Sequence, residues 1–564
     1  MKTPENKIRV VDFFSGAGGW SEGFRQQGFK VVMGFDNWAP AVKTHNLNHG
    51  LQDDPMDILD YEKCPVGDID KIPNTEIIVG SPPCVSFSMS NNAGKADKSL
   101  GIRLIESFLR VVAVKKHQKG SVLKVWYMEN VPNSKNFVKQ EYTFTDLKLD
   151  SFAKSNGKKV SDIALRASHP DNGGVLCAAD YGSPQKRERF VCGELLFGPD
   201  KGNLLAPKKI REGKFVTLRE IKNALPSPFS IFSTDQVSDP NYPNLILPMN
   251  QMTDHFYDTG VYAVEWEAAK RAKIDHPFMG KMAFPEDEGR PSRTIMATRS
   301  ASTREAILYK AEIERKGDGE YRLPTIREAS SLMGFPITYQ FYGSESVKWR
   351  QIGNAVCPHM SAAVAVELRR VFGLPKLKSP IFETVQNLNS FTTAEFNDPP
   401  GKKSDSKFRR HPFKTGNMTV ALVNFNPHEK SDTPGKKWYA CAYVGSGKSY
   451  RPILLNEGAG SIQSILEADA DGNKFIHEFH EHFSGKIGDY EKLQRMHVEH
   501  KDFGPFMKPD GLVEAVKDFI TQSVSNKDLI EHERIEKLIG KKKIPKRQLY
   551  AMYSLNYIVN TAGE

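Results

Sequence analysis

Thr75-Glu76-Ile77-Ile78-Val79-Gly80-Ser81-Pro82-Pro83-Cys84-Val85-Ser86-Phe87-Ser88 is the stretch on which the reading of this chain turns. Its first part, a short apolar run rich in β-branched residues, predicts a buried strand. The strand ends in glycine, two prolines and a cysteine, which puts a thiol on a stiff turn at the carboxyl edge of a sheet. Proline fixes its own φ and holds the preceding residue extended, so Cys84 is aimed rather than free to wander. In open α/β sheets ligands bind at that edge. A lone cysteine is more often a small buried hydrophobe than a nucleophile. Its meaning therefore depends on what else reaches the same edge.

Upstream, Ile8 to Phe14 reads as a strand, followed by Ser15-Gly16-Ala17-Gly18-Gly19-Trp20, a helix carrying Trp20 and Phe24, and a second strand from Phe29 to Met33. Strand, glycine-rich turn, helix and strand make the first half of a nucleotide-binding α/β unit, in which small residues let the backbone close on a ligand. The glycines at 16, 18, 19 and 23 miss the G-x-G-x-x-G spacing of dinucleotide sites, which leaves room for a cofactor without phosphate. A tight turn with no ligand fits the same residues. Asp36, after the second strand, stands where such folds bind ribose hydroxyls. Asp57-Ile58 offers a further acid, and either acid also fits a helix cap.

Downstream of Cys84, the polar segment Ser88 to Ser99 reads as a mobile lid, and Leu104 to Val114 as a helix. Val122 to Met128 reads as a strand ending in Glu129-Asn130-Val131-Pro132. A carboxylate at the sheet edge suits protonation of a substrate, or caps the helix that follows. Strand-like runs at Val175 to Ala179 and Phe190 to Gly193 flank Gln185-Lys186-Arg187-Glu188-Arg189. Alternation places Gln185, Arg187 and Arg189 on one face.

The chain has 564 residues, enough for about three domains. With 39% hydrophobic and 26% charged residues it has the composition of a folded protein rather than a disordered one. A net charge of +10 favours a polyanionic partner. Its six cysteines are scattered without a CxxC pair, which excludes a disulfide framework or a zinc module and fits a reducing compartment. The start has no apolar leader and no apolar run approaches membrane-spanning length. The expectation is a cytoplasmic protein with neither membrane nor metal partner.

Six blocks then fall into one order: Asp12 to Gly19, Pro82-Pro83-Cys84, Glu129-Asn130-Val131, Gln185 to Arg189, Arg322 to Ala329 with Gly334-Phe335-Pro336, and Gln351-Ile352-Gly353-Asn354-Ala355-Val356. In this the chain resembles the DNA (cytosine-5)-methyltransferases over most of residues 8 to 370. The resemblance implies an α/β, Rossmann-like methyltransferase fold that uses S-adenosyl-L-methionine and acts on a cytosine flipped out of double-stranded DNA. It implies that Cys84 attacks carbon 6 as a thiolate and that Glu129 protonates or hydrogen-bonds ring nitrogen 3. Arg187 would hold the base, and Arg189 would support Glu129. The cofactor would lie over Phe14, Ser15, Gly16 and Gly18. Asp36 would take the ribose with Trp38 beside it, Asp57 and Ile58 the adenine, and Asn354 and Val356 would complete the pocket. The cysteine after the two prolines decides against the amino-methylating class, which carries an aromatic there.

Between Arg189 and Arg322 the α/β rhythm is lost, at the position where the family carries its target-recognition domain. Gly289 to Arg299, rich in arginine and hydroxyls, fits phosphate and base contacts or an ordinary exposed loop. The expected organisation is a catalytic domain over 1–198, a target-recognition region over 199–320, a return to the catalytic domain over 321–373, a linker over 374–412 and an α+β accessory domain over 413–564. That last domain would serve DNA, an oligomer contact or a protein partner. Its Gly445-Ser446-Gly447-Lys448-Ser449 reads as a hairpin turn rather than a phosphate loop, because Pro452 and a strand follow where a helix is required. His477 to His482 reads as a solvated helix face, and Asp469-Asp471-Asn473 lacks the glycine and the final acid of a calcium loop. Lys541-Lys542-Lys543 with Lys546 and Arg547 favours phosphate contacts. The leading expectation is a sequence-specific DNA methyltransferase in a restriction-modification or related protective setting. A fused C-terminal nuclease and an RNA cytosine-5 methyltransferase are the alternatives, and the Cys-Phe-Thr signature of the tRNA branch is absent.

Overall fold

The structure, a computed structural model, describes residues 8–83, 98–210, 213–230, 234–275, 280–382, 407–415, 418–429, 434–445, 451–455, 459–499, 503–525 and 528–564. Cys84 and most of the segment expected to form a lid lie outside them. The chain folds as two compact units, Met1–Asn397 and Asp398–Glu564.

In the first unit the elements run β1 (Arg9–Phe13), α1 (Gly19–Gln26), β2 (Lys30–Phe35), α2 (Ala39–His49), α3 (Val66–Ile69), β3 (Ile77–Gly80), α4 (Ser99–His117) and β4 (Val125–Asn130). A small hairpin of β5 (Glu141–Thr143) and β6 (Ile163–Arg166) follows, then β7 (Gly173–Cys177) and β8 (Glu188–Leu195). The main sheet has the order β2-β1-β3-β4-β8-β7. Its first four strands are parallel; β8 runs antiparallel to β4, and β7 antiparallel to β8.

Strands of a parallel sheet are covered on both faces, so they read as continuous apolar runs instead of alternating ones. Successive residues nonetheless feed opposite layers. Val10, Ile77, Val79, Val125 and Tyr127 join one core, which includes Trp20 and Phe24 of α1 and Met360 and Val364 of the late helix Pro358–Val371. Val11, Phe13, Ile78, Trp126 and Met128 join the other, under α4 and the β5–β6 hairpin. Helix α1 and the late helix approach closely because Gly19 and Gly23 face it. A methyl group on either would overlap the backbone at Val356 or Ala362. This is how the end of the unit returns to its beginning.

Among the described residues of 199–320 the elements have at most 12 residues. They include a helix, Leu218–Ala224, held by a Thr217/Glu220 capping box, a two-stranded ladder of Gln236–Ser238 with Ile246–Pro248, and the helix Ala263–Ile274. Three helices follow, Ile326–Met333, Glu345–Asn354 and Pro358–Val371.

The second unit is an antiparallel sheet covered by helices. Strands Met418–Val423, Tyr439–Val444 and Arg451–Leu454 pair in sequence, and the terminal helix Lys546–Gly563 is buried on nearly all sides. Val444 pairs with Arg451, and all of the Gly445 to Ser449 motif except Gly445 lies outside the described residues. In the histidine run His477, Glu478, Glu481 and His482 are exposed, as expected of a solvated helix face, and His480 alone is half-buried. His480 turns inward, 2.6 Å from the Tyr553 hydroxyl and stacked on Tyr557, because the helix Ala470–Phe483 lays its Phe475 and Phe479 side into the core. Among the described residues no group of histidine, cysteine and acidic side chains could hold a metal ion.

Candidate active site

Four parallel strands end at one edge, at Phe13, Phe35, Gly80 and Asn130, and the turns leaving them gather the chemistry. After β1 the backbone enters the left-handed region at Phe14 (φ 53°), Gly16 (53°) and Gly18 (88°). Glycine adopts this conformation freely, whereas a side chain costs roughly 1–2 kcal/mol. The turn is held by Asp36, whose Oδ2 accepts from the Gly16 N–H at 2.9 Å and whose Oδ1 accepts from the Trp38 N–H at 2.8 Å. Burial pushes the Asp36 carboxyl up, and these N–H groups oppose the shift. Asp57 caps the short helix Ile58–Tyr61 through the Leu59 N–H and also accepts from Asn37 at 3.4 Å. The two acids thus do local structural work at the site expected for a ligand, and Ile58 is buried beneath.

Under the glycine turn lies a polar chain that sequence inspection missed. Asp12 Oδ2 accepts from the Ser21 N–H and hydroxyl, at 3.2 and 2.7 Å, and the Ser21 hydroxyl lies 2.8 Å from His45 Nε2. The residue types are those of a serine nucleophile, but all three are sealed from solvent, so no substrate reaches them. Burial pushes the Asp12 carboxyl up to about 7 and the His45 imidazole down to about 3.

The other half of the edge is built by β3, β4 and β8. Asn130 Nδ2 donates to the Pro82 carbonyl at 3.0 Å, and Trp20 Nε1 donates to the Ser81 hydroxyl at 3.0 Å. The Pro82-Pro83 turn is thereby tied to the Glu129-Asn130-Val131 turn. Glu129 is buried, and its Oε1 meets Arg189 Nε at 2.8 Å. Antiparallel pairing sets Val191 opposite Glu129, so Arg189 reaches it from the neighbouring strand.

Arg187 is different. It is 2% exposed, and its guanidinium donates to the carbonyls of Ile295 (3.2 Å), Gly353 (3.0 Å) and Ala355 (3.1 Å). Alternation puts Gln185, Arg187 and Arg189 on one face, and the first two are buried. Arg189 is the arginine set beside Glu129, while the Arg187 guanidinium lies on three backbone carbonyls.

Chain segments distant in sequence close the site. Val356 carries its carbonyl to Gly19, and Asn354 is exposed at the end of its helix. Arg350, which sequence inspection passed over, lies 4.6 Å from the Trp38 ring centroid. Its only sequence signal is its place just before Gln351. Beside Arg187, residues 290–296 run along 184–187. Ser292 N–H donates to the Pro184 carbonyl, and Lys186 N–H donates to the Ser292 carbonyl. A cleft of about 660 Å³ opens there, lined by Lys186, Arg290, Ser292 and Thr294 with Phe215 and Met282.

A sheet of this order with a glycine turn, an acid after β2 and a paired carboxylate beside a Pro-Pro turn has the arrangement of a Rossmann-like methyltransferase. Comparison with known proteins carries this further. The sequence profile of the C-5 cytosine-specific DNA methylases matches residues 8–370. The chain is 25% identical over 378 residues to a type II methyltransferase of Herpetosiphon aurantiacus, covering 66% of this chain and 97% of that protein. It is 26% identical over 369 residues to another from Methanothermobacter thermautotrophicus, covering 64% and 97%. The chain belongs to the C-5 cytosine-specific DNA methylase family, which takes its methyl group from S-adenosylmethionine, and it is a DNA (cytosine-5)-methyltransferase. Among the described residues no helix is long and apolar enough to cross a membrane.

Proposed function

We propose that this enzyme methylates cytosine within one short double-stranded DNA sequence through a covalent adduct with Cys84, as the modifying half of a restriction-modification or related protective system. The observation that carries the reading is the paired carboxylate, Glu129 with Arg189, beside the turn that leads to Cys84. The type II relatives support the setting.

In this reading the Cys84 thiolate adds to carbon 6 of a flipped-out cytosine. The ring's electrons move toward carbon 5 and nitrogen 3, where Glu129 supplies a proton or hydrogen bond. Arg189 holds Glu129 and lies within reach of the base. Carbon 5 takes the methyl group, its proton leaves to a base, and the electrons of that C–H bond expel Cys84. S-adenosylmethionine, when bound, supplies a methyl group on a sulfonium.

The residues fit that cofactor. The Ser15 hydroxyl is buried and has no hydrogen-bond partner among the described residues, and a Cβ on Gly16 would meet none of their atoms nearer than the Phe14 carbonyl at 3.9 Å. Phe14, Ser15, Gly16 and Gly18 would line the turn. Asp36, Trp38, Asp57 and Ile58 would hold the nucleoside, with Asn354 and Val356 closing over it. The division at residues 199–320, 321–373, 374–412 and 413–564, the cytoplasmic location and a partner-binding role for the second unit belong to the same proposal.

Bisulfite sequencing of DNA from cells expressing the wild type and Cys84→Ala is the test. Protected cytosines in one short motif, lost in the variant, are expected. Protection that survives Cys84→Ala refutes the covalent mechanism, and its absence in the wild type refutes the choice of substrate.

A further inference from the structure

We infer that Arg187 is a positioning residue that couples the DNA cleft to the cofactor turn, so that duplex and cofactor each tighten the binding of the other. The inference rests on the reading above, that the cleft at 290–296 receives DNA and that Asn354 and Val356 border the cofactor.

One guanidinium holds two chain segments far apart in sequence. Its Nη1 donates to the carbonyl of Ile295, and its Nη2 to those of Gly353 and Ala355. Ile295 belongs to the strip that walls the cleft with Arg290, Ser292 and Thr294. Gly353 and Ala355 flank Asn354, and the next residue, Val356, packs its carbonyl on Gly19 at the start of α1. Gln185 reinforces the joint by accepting from the Ile295 N–H at 3.2 Å. Trp349 Nε1 donates to the Met296 carbonyl at 3.0 Å, and Gly353 lies so close to Met296 and Ala297 that a methyl group would displace them.

A planar fork with five fixed donors transmits displacement, because it cannot follow one segment without straining its bonds to the other. A buried, tightly packed joint has few intermediate positions. When phosphates and bases press on the 290–296 strip, the carbonyl of Ile295 shifts the guanidinium and, through it, the 353–355 turn. Thermodynamic linkage makes the effect reciprocal: whatever factor DNA gains for the cofactor, the cofactor gains for DNA. Arg187 acts without touching either ligand.

The experiment is a binding cycle by calorimetry, with S-adenosylhomocysteine titrated into the full chain alone and with a short duplex carrying the motif found by bisulfite sequencing. In the wild type the duplex tightens S-adenosylhomocysteine binding by at least about fivefold. Arg187→Lys replaces the fork by one point charge, and the ratio falls toward one; Gly353→Ala disturbs the joint from the other side and lowers it too. A purely structural role would lower stability or both affinities and leave the ratio intact, so a retained ratio in folded variants overturns the inference. If either variant does not fold, hydrogen exchange on the wild type decides: S-adenosylhomocysteine alone slows exchange across 292–297, and no change there overturns the coupling. A wild type that binds no S-adenosylhomocysteine overturns the reading of the cofactor turn itself.

Discussion

Removing the guanidinium of Arg189 tests the centre of the proposed site. The Nε to Oε1 distance is 2.8 Å, and the side chains of Arg189 and Glu129 are 12% and 7% exposed. At an effective dielectric constant near 20, two unit charges at that distance attract by about 6 kcal/mol. Most of this offsets the cost of desolvating both groups, so the net worth of the pair is small. Arg189→Ala removes the attraction but leaves Glu129 buried, and loss of one partner of such a pair costs about 3–5 kcal/mol. The truncated side chain admits water, which favours the lower figure. Glu129→Gln leaves a less buried cation and costs about 1–2 kcal/mol. The double variant recovers part of the loss, with a coupling of about 2 kcal/mol. Urea unfolding followed by tryptophan fluorescence suits the measurement, since Trp20, Trp38, Trp126, Trp266 and Trp349 all lie in the first unit and only Trp438 in the second. If Arg189→Ala stays within about 1 kcal/mol of the wild type and adds simply to Glu129→Gln, the pair does not hold the carboxylate.

The glycine turn, the buried acid beneath it and the cleft can each be tested separately. Gly16→Ala meets no atom nearer than the Phe14 carbonyl at 3.9 Å but must adopt φ 53°. It should cost about 1 kcal/mol in stability and raise the cofactor KM at least about tenfold, since its methyl group enters the proposed ligand space; an unchanged KM moves the cofactor elsewhere. For Asp12, the folded carboxyl is raised to about 7 from an ordinary 3.8, so the folded state binds more protons between these values. The Asp12 contribution to stability therefore falls as pH rises through that window and levels off above it, opposed by the contribution of His45, whose imidazole is pushed down. Asp12→Asn keeps an acceptor for Ser21 and gains on the wild type across the same window, by up to about 4 kcal/mol. A stability difference independent of pH in denaturation at pH 4 to 8 contradicts the burial account. Lys186→Ala and Arg290→Ala should each reduce the slope of log affinity for DNA against log salt by about 1 without altering the methylated motif. A changed motif would make them base-reading residues.

The sequence by itself determined the frame of the catalytic unit. The short β-branched and aromatic runs within Arg9–Phe13, Ile77–Gly80 and Val125–Asn130, bounded by turn residues, read as strands covered on both faces, and all their residues but Arg9 are buried. Glycines 16 and 18 mark a turn that other residues resist, and the Pro-Pro-Cys and Glu-Asn-Val blocks each end a strand, so parallel pairing must bring them to one edge. These are local properties, set by neighbours within a few residues. The division of labour between Arg187 and Arg189 is not local. Both face inward, and nothing in Gln-Lys-Arg-Glu-Arg says that Ile295, Gly353 and Ala355 offer their carbonyls to the first while Glu129 waits for the second. The Asp12–Ser21–His45 chain and the stack of Arg350 on Trp38 were hidden for the same reason. The partner of a buried charge is chosen by which desolvated acceptor the fold brings within about 3 Å, and that choice exists only once β8 has paired with β4 and the late helices have packed back on α1.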